Sequence, residues 1–368
     1  MKFAVSRDAL LKPLNLVAGV VERRQTQPIL ANVLLSLEGD RLSLTGTDLE
    51  VELIGRVQLP AAGEDGEITV PARKLVDICK SLSEGADIEF VLSDSKVTIR
   101  SGRSRFTLST LSARDFPNVE DCLGTHQFSL KQGELRRLID RTSFAMAQQD
   151  VRYYLNGMLW ELKAGRMRVV ATDGHRLAMC TLSSALDTTD NNTQVILPRK
   201  GVLELSRLLI DEDEMISVVL GANHIRATTD DFSFTSKLVD GKFPDYERVL
   251  PQMPDKVVLG SRQELRQAFI RTAILSNEKY RGVHLKLLDG SLEIVANNPE
   301  QEQAEESVPV NYQGAGLEIG FNVSYVLDVL GVLSGEQVKM SLSDSNSSAL
   351  LEESDGGDSV YVVMPMRL

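Results

Sequence analysis

The sequence predicts an α+β fold of three domains, each a duplication of one unit that has a strand, a helix and further strands. Its 368 residues are too many for one ordinary hydrophobic core. The same opening, a short alternating strand followed by a helical pattern, begins at Lys2, His126 and Lys256, 124 and 130 residues apart. A second such opening follows about 65 residues after each of these. This period is that of a domain and not that of a solenoid repeat.

Each opening combines the periodicity of a strand with that of a helix. In the first, the alternating run KFAV meets Ser6 and is followed by Leu10, Leu14 and Val17, which share one face of a helix. Alternating runs with turn residues between them follow the helices, as in residues 88–100 and 216–229, and predict antiparallel strands. The six openings begin at Lys2, Ile68, His126, Val195, Lys256 and Ile319. We therefore expect domains at residues 1–125, 126–253 and 254–368, with helices stacked on one face of the sheets.

Composition argues against several classes of protein. The chain is 42% hydrophobic and 25% charged, which is typical of globular proteins in water, and it has no apolar run of membrane-spanning or signal-peptide type. Cys79, Cys122 and Cys180 are odd in number and lack CxxC spacing, so we expect no disulfide framework, no metal site and a cytoplasmic location. We expect no cofactor either, because GAGLEIG at residues 314–320 lacks the glycine spacing of a dinucleotide-binding fold.

The distribution of charge is less uniform than the total suggests. The net charge is −12, which by itself argues against a nucleic-acid partner. The six predicted helices with their flanks nevertheless carry +9, and five of the six are basic. Solvated helix faces rich in arginine and lysine are one explanation. A shared positive surface that holds a polyanion by its phosphates, without reading its sequence, is the other and the favoured one.

Eleven short motifs in order resemble the bacterial sliding clamp family, the beta subunits of replicative DNA polymerases. The motifs are TGTDLE, VPARK, RSGRSRF, DFPN, QDVRYYLNGM, ATDGHRL, FTSKLVDGKFPDY, ILSNEK, NNPEQE, GFNVSYVLDVL and VMPMRL. The resemblance spans the whole chain. It implies three domains of the DNA clamp type, with helices lining the inside of a ring and antiparallel sheets outside. It also implies a head-to-tail homodimer that encircles duplex DNA and has no catalytic activity.

The resemblance implies partners and a surface for DNA. The partners are the replicative polymerase's catalytic subunit, the clamp loader, other polymerases, and mismatch-repair and ligase proteins, which bind through short linear peptides. For the adjacent residues Tyr153 and Tyr154, packing in the core is the alternative to DNA contact, although both cannot point inward from an extended strand. The residues at the family's DNA-contacting positions are Arg24, Arg73, Gln149, Arg152, Tyr153, Tyr154, Arg199, Lys200 and Arg207.

A pocket for partner peptides is implied by the same resemblance. The ending VYVVMPMRL supports it, because chain ends are usually polar, whereas two methionines beside a proline offer a soft apolar surface. A buried edge strand is the alternative for its first residues. The implied pocket residues are Leu155, Thr172, Gly174, His175, Arg176, Leu177, Pro244, Arg248, Val249, Tyr325, Val362, Met364, Pro365, Met366, Arg367 and Leu368.

Two further interpretations concern catalysis and self-association. Asp173 and His175 allow a hydrolase in which the aspartate orients the histidine as a general base, but no nucleophile motif completes the site. For self-association, the resemblance places basic and apolar residues of one chain against acidic and apolar residues of another. The alternative for the acidic residues is that they form a solvated loop without a partner chain. The implied interface residues are Lys74, Arg103, Arg105, Phe106, Leu108, Ile274, Leu275, Glu300, Glu302, Glu305 and Glu306.

Overall fold

The computed structural model describes residues 1–21, 27–117, 124–163, 165–182, 186, 192–251 and 254–367. Within these residues there are six α-helices, one at each of the six predicted openings, so the prediction of six repeated units is confirmed. None of the described helices is long and apolar enough to cross a membrane. The helices are α1 (Arg7–Val20), α2 (Ala72–Ser81), α3 (Gln132–Thr142), α4 (Arg199–Leu208), α5 (Arg262–Ala273) and α6 (Val323–Val332).

The strands outnumber the helices fourfold in the described part of the chain, and all of their pairings are antiparallel. They are β1 (Lys2–Ser6), β2 (Asn32–Glu38), β3 (Arg41–Thr47), β4 (Val51–Gln58), β5 (Gly66–Pro71), β6 (Asp87–Ser93), β7 (Lys96–Ser101), β8 (Ser104–Ser109), β9 (Gly124–Lys131), β10 (Gly157–Lys163), β11 (Arg166–Thr172), β12 (Arg176–Thr181), β13 (Thr193–Pro198), β14 (Met215–Gly221), β15 (His224–Thr228), β16 (Phe232–Lys237), β17 (Lys256–Ser261), β18 (Gly282–Leu288), β19 (Ser291–Asn297), β20 (Gln303–Pro309), β21 (Leu317–Asn322), β22 (Gln337–Leu342), β23 (Ala349–Glu353) and β24 (Ser359–Val363).

The helices begin where the sequence places a polar residue after a strand. The hydroxyl of Ser6 accepts a hydrogen bond from the backbone of Ala9, and that of Ser261 accepts one from Glu264, both at 3.3 Å. Asn322 caps α6 in the same way. Each cap satisfies a backbone N–H that the helix leaves without a partner, which fixes the residue at which the helix starts.

The chain forms two compact units. The first contains residues 1–133 and 203–238. Its sheets have the strand orders β1-β6-β7-β8 and β5-β2-β3-β4-β16-β15-β14-β9. Helix α1 packs closely on β3 and β4, where a Cβ added at Gly46 or Gly55 would lie 2.7 Å from a side-chain carbon of Val17 or Pro13. These two glycines therefore allow the helix to approach the sheet.

The second unit contains residues 134–202 and 239–368. Its sheets have the orders β13-β10-β11-β12-β24-β23-β22-β17 and β20-β19-β18-β21. Large side chains such as Trp160, Tyr361 and Phe269 are fully buried in it. Each eight-stranded sheet combines strands from two successive thirds of the chain, since β4 pairs with β16 and β12 pairs with β24. The boundaries of the two compact units therefore differ from the domain boundaries expected from the sequence repeat.

Candidate functional site

The second unit contains a mainly apolar cavity of about 150 Å³ at the position of the expected pocket. Nine of the residues implied by the resemblance line it, and three further residues join them. Its walls come from the 3-10 helix Tyr153–Leu155, the turn between β11 and β12, the segment around the 3-10 helix Tyr246–Val249, and β24 with the residues after it. The lining residues are Arg152, Tyr154, Leu155, Thr172, Gly174, Arg176, Leu177, Pro244, Tyr246, Val249, Val362 and Met364.

The turn between β11 and β12 is fixed by its own hydrogen bonds. Asp173 Oδ1 accepts from the backbone nitrogens of His175 and Arg176 at 2.9 and 3.0 Å. Thr172 Oγ1 accepts from the backbone nitrogen of Gly174 at 3.1 Å, and Gly174 has a φ of +88°, which favours glycine. The pocket rim is therefore a preformed turn.

Arg176 holds this rim to the rest of the unit. Its side chain is only 12% exposed and pairs with Asp173, through Nε at 3.1 Å, and with Asp328. Its Nη2 donates to the carbonyl of Phe144 at 2.8 Å. The guanidinium carbon also lies 4.4 Å from the ring centre of Tyr325 and 5.2 Å from that of Phe144. The charge of Arg176 is thus used inside the protein to buttress the pocket wall.

Each unit has a four-stranded sheet that ends in an exposed strand with predicted interface residues. In the first unit this strand is β8, where Arg105 is exposed, Phe106 is half-buried and Leu108 is buried. Arg103 just before β8 and Lys74 on α2 are exposed. The unpaired edge of β8 is therefore basic.

The corresponding edge of the second unit is β20, and it is acidic. Glu305 is exposed on it, whereas Glu306 is half-buried and bonds Arg271 of the same chain, with Nη2 to Oε2 at 2.9 Å. Ile274, just after α5, is 74% exposed. The remaining predicted interface residues of this unit are Leu275, which is half-buried, and Glu300 and Glu302, which are exposed.

Comparison with known proteins identifies the family. The N-terminal, central and C-terminal domains of the DNA polymerase III beta subunit match residues 1–120, 129–245 and 247–367. The chain belongs to this family, the bacterial sliding clamps. The beta sliding clamp of Pseudomonas aeruginosa PAO1 is 67% identical, and that of Escherichia coli K12 is 55% identical, each over 100% of both chains.

Solved structures of sliding clamps have the same fold. A crystal structure of the DNA polymerase III subunit beta from Pseudomonas aeruginosa aligns with a TM-score of 0.98 and 66% identity over 100% of both chains. A structure of that organism's sliding clamp bound to griselimycin aligns with a TM-score of 0.98 and 67% identity, again over 100% of both chains. The prediction of three α+β clamp domains with extensive antiparallel sheets is therefore confirmed.

The hydrolase interpretation is wrong. Sliding clamps are a non-catalytic family of processivity factors. In this clamp both oxygens of Asp173 are also committed elsewhere, Oδ1 to two backbone nitrogens and Oδ2 to Arg176. The ring of His175 instead stacks at 6.5 Å from that of Tyr325. The aspartate shapes the turn and does not orient a general base.

The other described residues expected in the clamp's pocket lie outside the cavity lining. Arg248 is exposed and pairs with Asp245 at 2.7 Å, while Tyr325 packs on Arg176 behind the rim. The backbone of Met366 donates to that of Gly320 at 2.8 Å, which holds the last described residues. Of the others, His175 and Arg367 are exposed and Pro365 is half-buried, and Leu368 lies outside the described residues.

Three lining residues were not expected in the pocket. Arg152 and Tyr154 were assigned to DNA contact, and Tyr246 was assigned to no site. A signal for Tyr246 was present in the sequence. It lies between Pro244 and Val249, and residues three apart in a 3-10 helix lie above one another on one side.

Arg152 lies at the rim of the pocket and is already bonded there. Its Nε and Nη2 donate to the two carboxylate oxygens of Asp150 at 3.0 and 2.9 Å. Its Nη2 also donates to the carbonyl of Asp173 at 3.2 Å. These hydrogen bonds from Arg152 hold the pKa of Asp150 at about 2. The guanidinium covers Gly174, where an added Cβ would lie 2.9 Å from it.

The adjacent tyrosines face different environments, as expected, but not from an extended strand. Tyr153 and Tyr154 are in a 3-10 helix, and their rings meet edge to face with centres 5.7 Å apart. Tyr153 is 57% exposed, whereas Tyr154 is half-buried and packs on the hydrophobic cluster below the pocket. Only Tyr153 presents most of its ring to solvent.

The remaining described residues predicted to contact DNA differ in exposure. Arg73 is exposed on α2, and Gln149 is exposed with a φ of +54°. On α4, Arg199 donates to the carbonyl of Met146 at 3.4 Å, Lys200 is half-buried, and Arg207 is 68% exposed and pairs with Glu204 at 2.8 Å. Arg24 lies outside the described residues.

Proposed function

We propose that two copies of this clamp close head to tail into a ring that encircles duplex DNA and tethers partner proteins through the pocket. We also propose that its three domains are divided near residues 125 and 253, as the sequence repeat predicts. Ring closure, DNA holding and partner binding rest on three different features, the sheet edges, the basic helices and the cavity.

The observation that carries this proposal is the opposite charge of two exposed sheet edges. An edge strand has backbone N–H and C=O groups free to pair with another chain. Arg103 and Arg105 lie at β8, whereas Glu302 and Glu305 lie at β20. One chain thus carries both halves of a complementary contact, which makes the interface heterologous, and two copies complete the circle. Exposed Ile274 supplies apolar area beside it.

The basic helices supply the contacts with DNA. Positive side chains such as Arg73 and Arg207 attract phosphates wherever they lie on the duplex, without reading bases. A closed ring needs no tight grip, because it is linked to DNA by topology. Its contacts can remain weak and interchangeable, which permits sliding, while the acidic remainder of the protein opposes static binding.

The cavity receives apolar anchors of partner peptides. Leu155, Leu177 and Val362 supply an apolar lining, and Met364 lies half-buried at its edge. The bound griselimycin of the Pseudomonas aeruginosa clamp supports a ligand-binding pocket in this family. We propose that griselimycin binds this cavity. The replicative polymerase, the clamp loader, other polymerases, and mismatch-repair and ligase proteins would then compete for one pocket per chain.

Retention on circular DNA tests the topological mechanism. The protein is loaded by a clamp loader onto a nicked circular plasmid, separated from free protein, and measured on DNA before and after a restriction enzyme linearises the plasmid. We expect retention on the circle and loss from the linear form. A mock-digested circle is the control for time and handling. Equal retention on both forms would show that direct contacts hold the protein, and would overturn the ring.

A further inference from the structure

One wall of the pocket has no strand of its own. Among residues 238–251, which lie between β16 and β17, the only regular element is the 3-10 helix Tyr246–Val249. Pro244, Tyr246 and Val249 of this segment line the cavity. A backbone hydrogen bond from Val239 to Ile196 at 2.9 Å ties the start of this segment to β13. No β-ladder holds the lining residues farther along, so their position depends on side-chain contacts with the sheet behind them.

The sheet meets this wall with a buried carboxylate. Glu161 on β10 has a side chain that is 11% exposed, and its Oε2 accepts the hydroxyl proton of Tyr246 at 2.8 Å. Gln194 donates from Nε2 to Glu161 Oε1 at 2.6 Å. Arg168 donates from Nη1 to the oxygen of Tyr246 at 3.1 Å and lies 3.9 Å from Glu161.

These three polar residues are neighbours on the sheet. Glu161 lies opposite Arg168 in the pairing of β10 with β11, and opposite Gln194 in the pairing of β10 with β13. Side chains directly opposite one another project on the same face. Glu161, Arg168 and Gln194, on three adjacent strands, therefore form one polar cluster beside the hydroxyl of Tyr246. The register of these strands sets the position of that cluster.

Packing alone does not require this arrangement. The ring of Tyr246 lies in an apolar cluster with Leu159, Leu177 and Val362, where phenylalanine would fill the same space. A buried carboxylate opposes folding unless its oxygens are hydrogen-bonded. Burial raises the pKa of Tyr246 to about 12, so the phenol stays neutral and remains a donor. The polar cluster adds a fixed position and angle for the Tyr246 ring, which lines this wall of the pocket.

We propose that Glu161, Arg168 and Gln194 are positioning residues that set the pocket's affinity for peptides by fixing Tyr246. The proposal rests on the proposed function of the pocket. Without the anchor, Tyr246 and the helix that carries Val249 would adopt several positions. Peptide binding would then have to select one of them, which lowers the apparent affinity. The three residues touch no ligand themselves.

The test compares the binding of griselimycin by calorimetry for the full-length protein and three variants. Tyr246→Phe and Glu161→Met, which leaves no strong acceptor at residue 161, should each weaken binding about fivefold, the effect of one lost hydrogen bond. The double variant should bind griselimycin at most about tenfold more weakly than the original protein, because both changes remove the same contact. Fully multiplicative effects, or affinities within twofold of the original for both single variants, would overturn the proposal.

A matched control separates positioning from general stability. Arg141 and Glu353 form another largely buried ion pair in the same unit, at 2.9 Å and with side chains 13% and 20% exposed. Glu353→Met should lower the melting temperature at least as much as Glu161→Met while leaving griselimycin affinity unchanged. Equal weakening of binding by both changes would show that Glu161 affects the pocket only through the general stability of the protein.

The pocket assignment is checked independently with Met364→Glu, which places a charge at the half-buried edge of the cavity. This change should abolish griselimycin binding. If it does so while the anchor variants bind normally, only the anchoring proposal fails. If the original protein does not bind griselimycin, or Met364→Glu binds it equally well, the proposed pocket fails and the anchor fails with it.

Discussion

The pocket and the residues predicted to contact DNA use charge in opposite ways. Around the pocket, Arg176 is 12% exposed and satisfied by two carboxylates, a carbonyl and two rings. Arg207 on α4 is 68% exposed, and it pairs at 2.8 Å with Glu204, one turn away on the same helix. The first arrangement fixes a shape before any ligand arrives. In the proposed function, the second would let the cation follow a moving phosphate.

This difference matches the ligand that each surface is proposed to recognise. A pocket that accepts certain peptides and rejects others needs walls that do not move, and buried pairs provide them at a cost in desolvation. A surface for any duplex sequence needs only positive charge at a suitable distance. Rigid contacts there would bind DNA in one place and oppose sliding. The following predictions test how far this contrast extends.

The largest effect is expected at the pocket from Arg176→Met. The change keeps much of the side-chain volume but leaves Asp173, whose side chain is 17% exposed, without its cation, and such a loss costs about 3 kcal/mol when the pair is buried. The loss at Asp328, which is 45% exposed, should cost less. Because the cavity loses one of its lining residues and the rim turn loses its buttress, griselimycin affinity should fall more than about a hundredfold, which is about 2.8 kcal/mol of binding free energy. Calorimetry and thermal melting measure the two effects.

Arg207→Met is the matched control, since it removes an equally long cation from the exposed face of a helix. It should change griselimycin affinity less than about twofold and the melting temperature little, as exposed ion pairs contribute about 0–1 kcal/mol. Similar losses for both arginines would show that the contrast between the two regions does not exist.

The next effect concerns the sheet edges that would close the ring. Changing Glu300 and Glu302 to lysine places positive charge where the basic β8 edge of a second chain is expected. We expect dimerisation to weaken at least about tenfold, because like charges now face each other. Sedimentation across a concentration series measures the dissociation constant.

Two glutamates away from β20 provide the control for that reversal. Glu318 lies on β21, the opposite edge strand of the same sheet, and Glu336 lies just before β22, and both are exposed. Reversing these two gives the same change in net charge. Dimerisation should then be unaffected. Unchanged sedimentation after reversal of Glu300 and Glu302 would place the interface elsewhere.

A smaller effect is expected for single cations at the DNA surface. Arg73→Ala and Arg207→Ala should each weaken DNA binding about uniformly across sequences, and reduce the slope of log K against log salt by about 0.9. The matched control is Arg248→Ala, which removes a cation that is 84% exposed beside the pocket. Fluorescence anisotropy with duplex DNA at several salt concentrations measures the slopes. A slope that changes as much for Arg248 would indicate that DNA contacts the protein without preference for the helices.

The sequence predicted the repeat better than the site, for physical reasons. A helix that starts after Ser6 or Ser261 depends on neighbours in the chain, so periodicity and a cap residue suffice. The bond between Glu161 and Tyr246 joins residues 85 positions apart, and it exists only because strand register and a 3-10 turn bring them together. The pocket was found by resemblance, and the anchor below it became visible only in the structure.

For Arg152, the sequence resemblance and the structure indicate different sites. Sequence resemblance assigned it to DNA, whereas the structure places its guanidinium at the rim of the pocket with Asp150 and Asp173. Its side chain is 46% exposed, intermediate between those of Arg176 and Arg207. A residue type and its motif do not show how many of its donors are already used.

The smallest effect is predicted for Asp150→Asn. This change alters the partner of Arg152, which lies at the pocket rim but was assigned to DNA contact. The asparagine keeps the shape but removes the charge that holds the guanidinium, so Arg152 becomes more available to phosphate. We expect the salt slope of DNA binding to rise by less than about 1. Griselimycin affinity should change less than about twofold, because Asp173 still accepts a bond from Arg152. A large loss of griselimycin binding would instead assign this pair to the pocket.

The pH dependence of the original protein provides the internal check on this change. Because hydrogen bonds from Arg152 lower the pKa of Asp150 to about 2, from an ordinary value of 3.8, the pair stabilises the folded state at pH values above 3.8. That contribution is lost as the pH falls through about 2. Between pH 5 and 8 the carboxylate should therefore remain charged, and any change of the DNA salt slope with pH should be the same in the original protein and in Asp150→Asn. A difference that grows as the pH falls towards 5 would mean that Asp150 titrates there, and that Arg152 holds it less firmly than the geometry indicates.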